Sequence, residues 1–216
     1  IKRSPLCGRN FEYYSEDPLL AGKLAAGFIR GAEGEGVGTS LKHFAVNNQE
    51  TLRMSVSAEV DERALHELYL RPFEIAVKEG APSTVMCSYN RINGVYASEN
   101  RMLLTRILRE QWGFDGLVMS DWGAVYRRPA GVAAGLDLEM PSSGGVTDRE
   151  IVRAVRAGRL DEAALDALCA RVLRLALAHA PQRKKAYPAP VHNVAAVRRM
   201  LDRHHALAVR AARESA

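Results

Sequence analysis

Gly116-Leu117-Val118-Met119-Ser120-Asp121-Trp122 opens on a glycine, passes through three apolar residues and ends in a serine, a carboxylate and a large flat ring. An apolar run this short, bounded by a turn former and a polar cluster, reads as a buried strand. It has counterparts. Thr39-Ser40-Leu41 leads into Lys42-His43-Phe44-Ala45, Ser83-Thr84-Val85-Met86-Cys87 into Ser88-Tyr89, and Gly135-Leu136-Asp137-Leu138 into Glu139-Met140-Pro141. Between them lie stretches of helical spacing: Pro18 to Gly31, Asp61 to Glu79, Asn100 to Trp112 and Thr147 to Ala157. In the second, Asp61 is placed to cap the helix, and Leu65, Leu68, Phe73 and Val77 share one face. Short apolar runs alternating with amphipathic helices predict βα units and a parallel sheet. In such sheets catalytic side chains gather where strands end and loops begin, which brings Lys42, His43, Tyr89, Asp121 and Trp122 to one mouth.

Eight βα units need about 250 residues. This chain has 216 and shows four clear strand runs, so the expected fold is α/β: a partial (β/α)8 TIM-type barrel, comprising its later βα units, followed by helices and a linker. Leu160 to Ala178 reads as a further helix capped by Asp161, with Leu165, Leu168, Val172 and Leu175 on one side. Residues 181–192 hold prolines and the basic run Arg183-Lys184-Lys185 and read as an inter-domain linker; helical spacing returns over Val194 to Ala212. The domain plan is therefore 1–180 as the later part of a barrel, 181–192 as linker, and 193–216 as the first helix of another domain. An opening at Ile1 rather than Met suggests the edge of a longer chain.

Composition excludes several classes. Hydrophobic residues at 47% and charged residues at 25% are near the globular average, which argues against disorder, and no apolar run is long enough to span a bilayer. The net charge of +5 is concentrated after Asp148, but the arginines there alternate with apolar residues at helical spacing and no aromatics are interleaved to stack on bases, so a nucleic-acid partner is not expected. No glycine-rich phosphate loop opens any helix. Cys7, Cys87 and Cys169 are odd in number and lack metal-ligand spacing; they read as free thiols, at least one of them buried. Unpaired thiols fit a reducing interior, without fixing the compartment.

Spacing leaves the roles of the polar residues open. Asp121 could be a reactive carboxylate beside a sugar-stacking Trp122, or simply the cap of the next helix. Lys42-His43 could hold hydroxyl groups, or be a solvated lysine beside a core histidine. Asn47-Asn48-Gln49-Glu50-Thr51 and Arg53 form an unusually polar stretch, whereas Asn93-Gly94 marks a turn.

Taken together, Gly8-Arg9-Asn10-Phe11-Glu12, Ser15-Glu16-Asp17-Pro18, Leu41-Lys42-His43-Phe44, Asn47-Asn48-Gln49-Glu50-Thr51, Val85-Met86-Cys87-Ser88-Tyr89-Asn90, Trp112-Gly113-Phe114-Asp115-Gly116, Val118-Met119-Ser120-Asp121-Trp122 and Gly135-Leu136-Asp137-Leu138-Glu139-Met140-Pro141 resemble glycoside hydrolase family 3, in its β-glucosidase branch. The resemblance implies a barrel followed by an α/β sandwich domain, and release of terminal non-reducing β-D-glucose or a related β-glycosyl unit, with retention at the anomeric carbon. The implied substrate is a β-glucoside or oligosaccharide, and no cofactor or metal is required. Asp121 becomes the nucleophile, Trp122 packs beside the sugar, Arg9, Lys42, His43 and Arg53 bond its hydroxyls, and Met86 and Tyr89 line the pocket. Retaining hydrolysis also needs a carboxylic acid about 5–5.5 Å from the nucleophile. In this branch it is a glutamate of the second domain, so the implied partners are the N-terminal barrel segment and the C-terminal domain of a complete enzyme. A related N-acetylglucosaminidase branch carries its acid on a loop after Lys-His-Phe-Pro-Gly-His. Here the sequence is Lys42-His43-Phe44-Ala45-Val46-Asn47, which closes that route. Pro129 and Gly131 disfavour a helix interior after Asp121, so that helix is expected to be short or to begin at Pro129.

Overall fold

The computed structural model describes residues 1–180 and 194–215. The chain divides into two compact units, Ile1–His179 and Ala180–Ala216. The first is built from α1 (Pro18–Gly34), β1 (Ser40–Phe44), β2 (Ser57–Ala58), helix α2 over 62–80, β3 (Thr84–Cys87), β4 (Arg91–Ile92), β5 (Val95–Tyr96), α3 (Met102–Gln111), β6 (Leu117–Ser120), α4 (Arg128–Ala134), α5 (Val146–Arg156) and α6 (Glu162–His179). In the second, α7 (Val194–Glu214) is the described element, and none of its described residues is buried. The expected linker over 181–192 lies outside the described residues.

The apolar runs form a parallel sheet in the order β1-β3-β6, with Thr84 opposite Ser40 and Leu117, and Met86 opposite Met119. Strand alternation sorts its two faces. Val85, Cys87 and Val118 point into a closed core with Phe73, Leu104 and Leu108 from the flanking helices. Thr84, Met86, Leu117 and Met119 take the other side, and Asp121, two residues beyond Met119, continues that face. Burying apolar side chains at about 25 cal/mol per Å2 drives this layering.

The helices start where the sequence says. Asp17 and Asp61 accept backbone N–H bonds at the openings of α1 and α2, Asn100 accepts from Leu103 N ahead of α3, and Asp161 accepts from Ala163 N at the opening of α6. Helix α4 begins at Arg128 with Pro129 in its first turn, where the missing N–H costs nothing. At the opposite end of the sheet from the polar cluster, the Glu33 carboxylate collects bonds from Thr39 N, Thr39 Oγ1, Ser83 N and Ser83 Oγ, fastening α1 to the entries of β1 and β3.

One expected strand is altered. Gly135-Leu136-Asp137-Leu138 runs beside β6 but contributes only one bridge, Met119 to Leu138. The reason is a side chain: Asp137 Oδ2 occupies the place of a ladder carbonyl and accepts from Val118 N at 2.7 Å. The same carboxylate accepts from Arg109 at 2.6 Å and Arg171 at 2.7 Å, so it joins α3 and α6 to the sheet. Asn93-Gly94 forms the tight turn between β4 and β5, both residues having positive φ, as a two-residue hairpin requires. The small sheet that this hairpin makes with β2 has no counterpart in the sequence reading, because two-residue strands carry no periodicity.

Candidate active site

Three loops at the C-terminal end of the sheet meet around Asp121. The backbone N–H of Asp121 is held by Cys87 O, and its Oδ1 accepts from Trp122 N at 2.7 Å. The next helix begins only at Arg128, so Asp121 caps nothing. Its other oxygen, Oδ2, is buried without a hydrogen-bond partner. It lies 3.5 Å from His43 Nε2.

His43 is buried and its protonation follows from its neighbours. Arg9 Nη2 approaches Nε2 at 3.0 Å, and an arginine can only donate, so Nε2 is the acceptor. The proton is therefore on Nδ1, which donates to the Tyr13 hydroxyl at 2.8 Å. Burial, reinforced by the Arg9 charge, lowers the imidazole pKa to about 4, and the ring is neutral at physiological pH. The approach of His43 to Asp121 is thus not an ion pair.

Glu12 organises the cations. It binds Arg9 through both oxygens, at 2.7 and 2.9 Å, and accepts from Lys42 Nζ at 2.7 Å. The Arg9 bond above all, and Lys42 with it, hold the Glu12 carboxyl down at about 2. Arg53 pairs with Glu50 at 2.6 Å and lays its guanidinium over the Tyr89 ring, 4.7 Å from the centroid. Burial, then the Asp121 charge, push the Tyr89 phenol above its ordinary range. Met86 stands half-buried on the face of the sheet that Asp121 continues, while Trp122 is 63% exposed.

Arg9, His43, Asp121, Tyr89 and Arg53 therefore form one contiguous group, with Lys42 joined through Glu12. Sequence reasoning passed over Glu12, Tyr13 and Glu50 as site residues. Glu12 and Glu50 do lie inside polar motifs beside Arg9 and Arg53, a charge-pairing signal that was available; nothing local marked Tyr13. Cys7 and Cys87 are buried free thiols and Cys169 is exposed. Among the described residues no cluster of metal-ligating side chains occurs. No described helix is long and apolar enough to cross a membrane.

Residues 1–175 match the model of the glycosyl hydrolase family 3 N-terminal domain. The chain belongs to glycoside hydrolase family 3. A thermostable β-glucosidase B from Acetivibrio thermocellus is 52% identical over 215 residues, covering 100% of this chain and 27% of that protein. An exo-α-(1→6)-L-arabinopyranosidase from Bifidobacterium longum is 57% identical over 175 residues, covering 81% of this chain and 23% of that protein. Among solved structures, a family 3 β-glucosidase from Bifidobacterium adolescentis superposes with a TM-score of 0.81 at 54% identity, covering 84% of this chain and 27% of that one. β-Glucosidase 3B from Thermotoga neapolitana in complex with α-D-glucose gives 0.80 at 48% identity, covering 82% and 26%. The chain spans about a quarter of the length of these relatives. Its fold is accordingly part of the family 3 TIM-type barrel, and its relatives are family 3 glycosidases, mainly β-glucosidases.

Proposed function

We propose that the protein containing this chain is a retaining β-glycosidase in which Asp121 attacks the anomeric carbon to form a glycosyl-enzyme ester. One observation carries the reading: Oδ2 of Asp121 is a buried carboxylate oxygen with no hydrogen-bond partner, at the mouth of the sheet, beside a neutral imidazole and within a rim of cations. A buried polar atom costs stability when left unmade, and a nucleophile needs that free lone pair. Trp122 N on Oδ1 fixes the carboxylate so that Oδ2 faces the substrate. Arg9, Lys42 and Arg53 supply cationic donors for the hydroxyls of the glycosyl unit, and His43 offers Nε2 as an acceptor; the charge-assisted bonds strengthen as the oxocarbenium-like transition state develops.

Glu12 is unsuited to protonate the leaving oxygen because Arg9 and Lys42 hold it ionised. Glu50 is tied to Arg53 through Oε2, while its Oε1 is buried without a hydrogen-bond partner on the side of Arg9. The likeness to the β-glucosidase branch assigns the acid to a glutamate of the C-terminal domain, outside residues 1–216, with 1–180 forming the later part of the barrel, 181–192 the linker and 193–216 the first helix beyond it.

The test is covalent trapping. A 2-deoxy-2-fluoro-β-glucoside with a good leaving group should add one fluoroglucosyl unit to the full-length protein, and peptide mass spectrometry should place it on Asp121. Asp121→Asn should lower kcat by at least about 10⁴-fold, the scale seen when a covalent nucleophile is removed. A label on another carboxylate, or binding of glucosides with no label at all, would refute the assignment; the latter is what a non-catalytic carbohydrate-binding remnant predicts.

The 57% identity to an arabinopyranosidase favours a second reading of the sugar. β-D-Glucosides and α-L-arabinopyranosides both present an equatorial anomeric bond to the nucleophile. The ratio of kcat/KM for their nitrophenyl derivatives decides between them.

A further inference from the structure

Behind the polar group stands a side chain that the chemistry proposed above does not use, the phenol of Tyr13. Tyr13 follows a single turn over Asn10–Glu12, and its backbone N–H donates to Asn10 O at 3.2 Å. Its ring lies edge-on to His43, with centroids 6.0 Å apart and planes inclined by 67°, and its hydroxyl is 2.8 Å from Nδ1. Among the described residues no other group bonds Nδ1. On the far side of the imidazole, Nε2 accepts from Arg9 Nη2 at 3.0 Å and lies 3.5 Å from Asp121 Oδ2. Glu12 takes Nε and Nη2 of the same guanidinium, so Nη1, 3.9 Å from Glu50 Oε1, is the Arg9 nitrogen left without a hydrogen bond. Tyr13, His43 and Arg9 thus form a line of three side chains in which each holds the next.

We infer that Tyr13 is a positioning residue of the active site: by accepting the Nδ1 proton its hydroxyl fixes the plane and tautomer of His43, and through Nε2 it fixes the guanidinium of Arg9 for the glycosyl unit. The inference rests on the reading of Asp121 as nucleophile and Arg9 as a sugar donor. The nature of the orienting group matters. A carboxylate behind an active-site histidine, the arrangement of the serine hydrolase triads, stabilises the imidazolium. Here Nδ1 meets a neutral phenol, which burial pushes further above its ordinary range. The charged groups around the ring are Arg9 and Lys42 against Asp121 and Glu12, and a carboxylate at Nδ1 would tip that balance towards the imidazolium. An imidazolium would turn Nε2 into a donor directed at a guanidinium, and the bond to Arg9 would be lost. A hydroxyl orients the ring without that consequence.

The experiment is a double-mutant cycle in the full-length protein, read as kcat/KM on nitrophenyl β-glucoside. Tyr13→Phe keeps the ring, removes one hydrogen bond and is expected to lower kcat/KM about 5- to 10-fold. In the His43→Gln background the same change is expected to cost less than about twofold, because the residue through which Tyr13 acts is gone. Equal losses in the two backgrounds would give Tyr13 a role independent of His43, and no loss in either would leave its hydroxyl without one; either result overturns the inference. Should Tyr13→Phe not fold, nitrogen-15 NMR of the histidines in the wild-type protein decides. The His43 signal, identified by its absence from His43→Gln, should show the proton on Nδ1 at pH 7, and a proton on Nε2 or on both nitrogens overturns the inference. Fluoroglucoside labelling keeps the two readings apart. A protein not labelled at Asp121 loses the nucleophile, whereas one labelled there with equal losses in the two backgrounds loses only the positioning role of Tyr13.

Discussion

His43 illustrates how neighbours fix a protonation state that identity leaves open. It faces the guanidinium of Arg9 and the hydroxyl of Tyr13, and its pKa falls from 6.5 to about 4 through burial first and the Arg9 charge second. An unfolded chain binds this proton near pH 6.5 and the folded one only near pH 4. The unfolded state therefore holds more protons in between, so the contribution of His43 is intact above about pH 6.5 and is lost as the pH falls towards 4. Urea titrations from pH 7 to 4 should show this decline, and His43→Gln should flatten it. Glu12 acts in a lower window: its pKa is held down from 4.5 to about 2, so its contribution is present above 4.5 and lost below it. The same residue governs the site. Glu12→Gln removes the charge that binds Arg9 and Lys42 and should cut kcat/KM on aryl glucosides by about 10- to 100-fold, the value of one or two charge-assisted bonds, with Glu12→Asp recovering part of it. An unchanged kcat/KM would remove Glu12 from the positioning of those cations.

At the scale of elements, Asp137 joins three pieces of secondary structure through one side chain. Its carboxylate is fully buried and takes bonds from Val118 N, Arg109 and Arg171, joining β6, α3 and α6. Breaking such a buried network leaves two arginines uncompensated, so Asp137→Asn should destabilise unit 1 by about 3–5 kcal/mol, read from the urea midpoint. Gly22 belongs to the same scale. A Cβ there would lie 2.8 Å from Cβ of Ile75, which is why α1 and α2 approach so closely, and Gly22→Ala should cost about 1–3 kcal/mol despite its better helix propensity.

For the whole molecule, the decisive feature is that the two sheet faces differ: one closes into an apolar core and the other runs up to the polar rim around Asp121. Val85, Cys87 and Val118 sit in a closed core, while Met86, Met119 and the Asp121 rim face outward from a three-stranded sheet among the described residues. Because the acid is assigned outside these 216 residues, the chain expressed alone should show weak or no turnover of nitrophenyl β-glucoside, and joining it to the remainder of the protein should restore hydrolysis. Substantial activity from the 216 residues alone would place an acid within them and overturn that assignment.

Much of this was legible in the sequence. The strand runs at Leu41, Val85 and Val118 stood out because a short apolar run between turn formers has few other uses, and Asp61 and Asp161 announced helix starts through their competition for free N–H groups, whereas the capping bonds of Asp17 and Asn100 emerged only in the structure. The position of Asp121 at a strand end, and the motifs that surround it, carried the family. Other features required the folded chain. Only there does the Asp137 carboxylate replace a ladder carbonyl and turn an expected strand into a single bridge. Only there do Glu12 and Tyr13 reach Lys42 and His43 across 30 residues of sequence, and Tyr126 find Tyr96. The reason is physical: periodicity and capping are local, set by backbone geometry within a few residues, whereas the charge, tautomer and exposed face of a side chain are fixed by whatever distant group packing delivers to it.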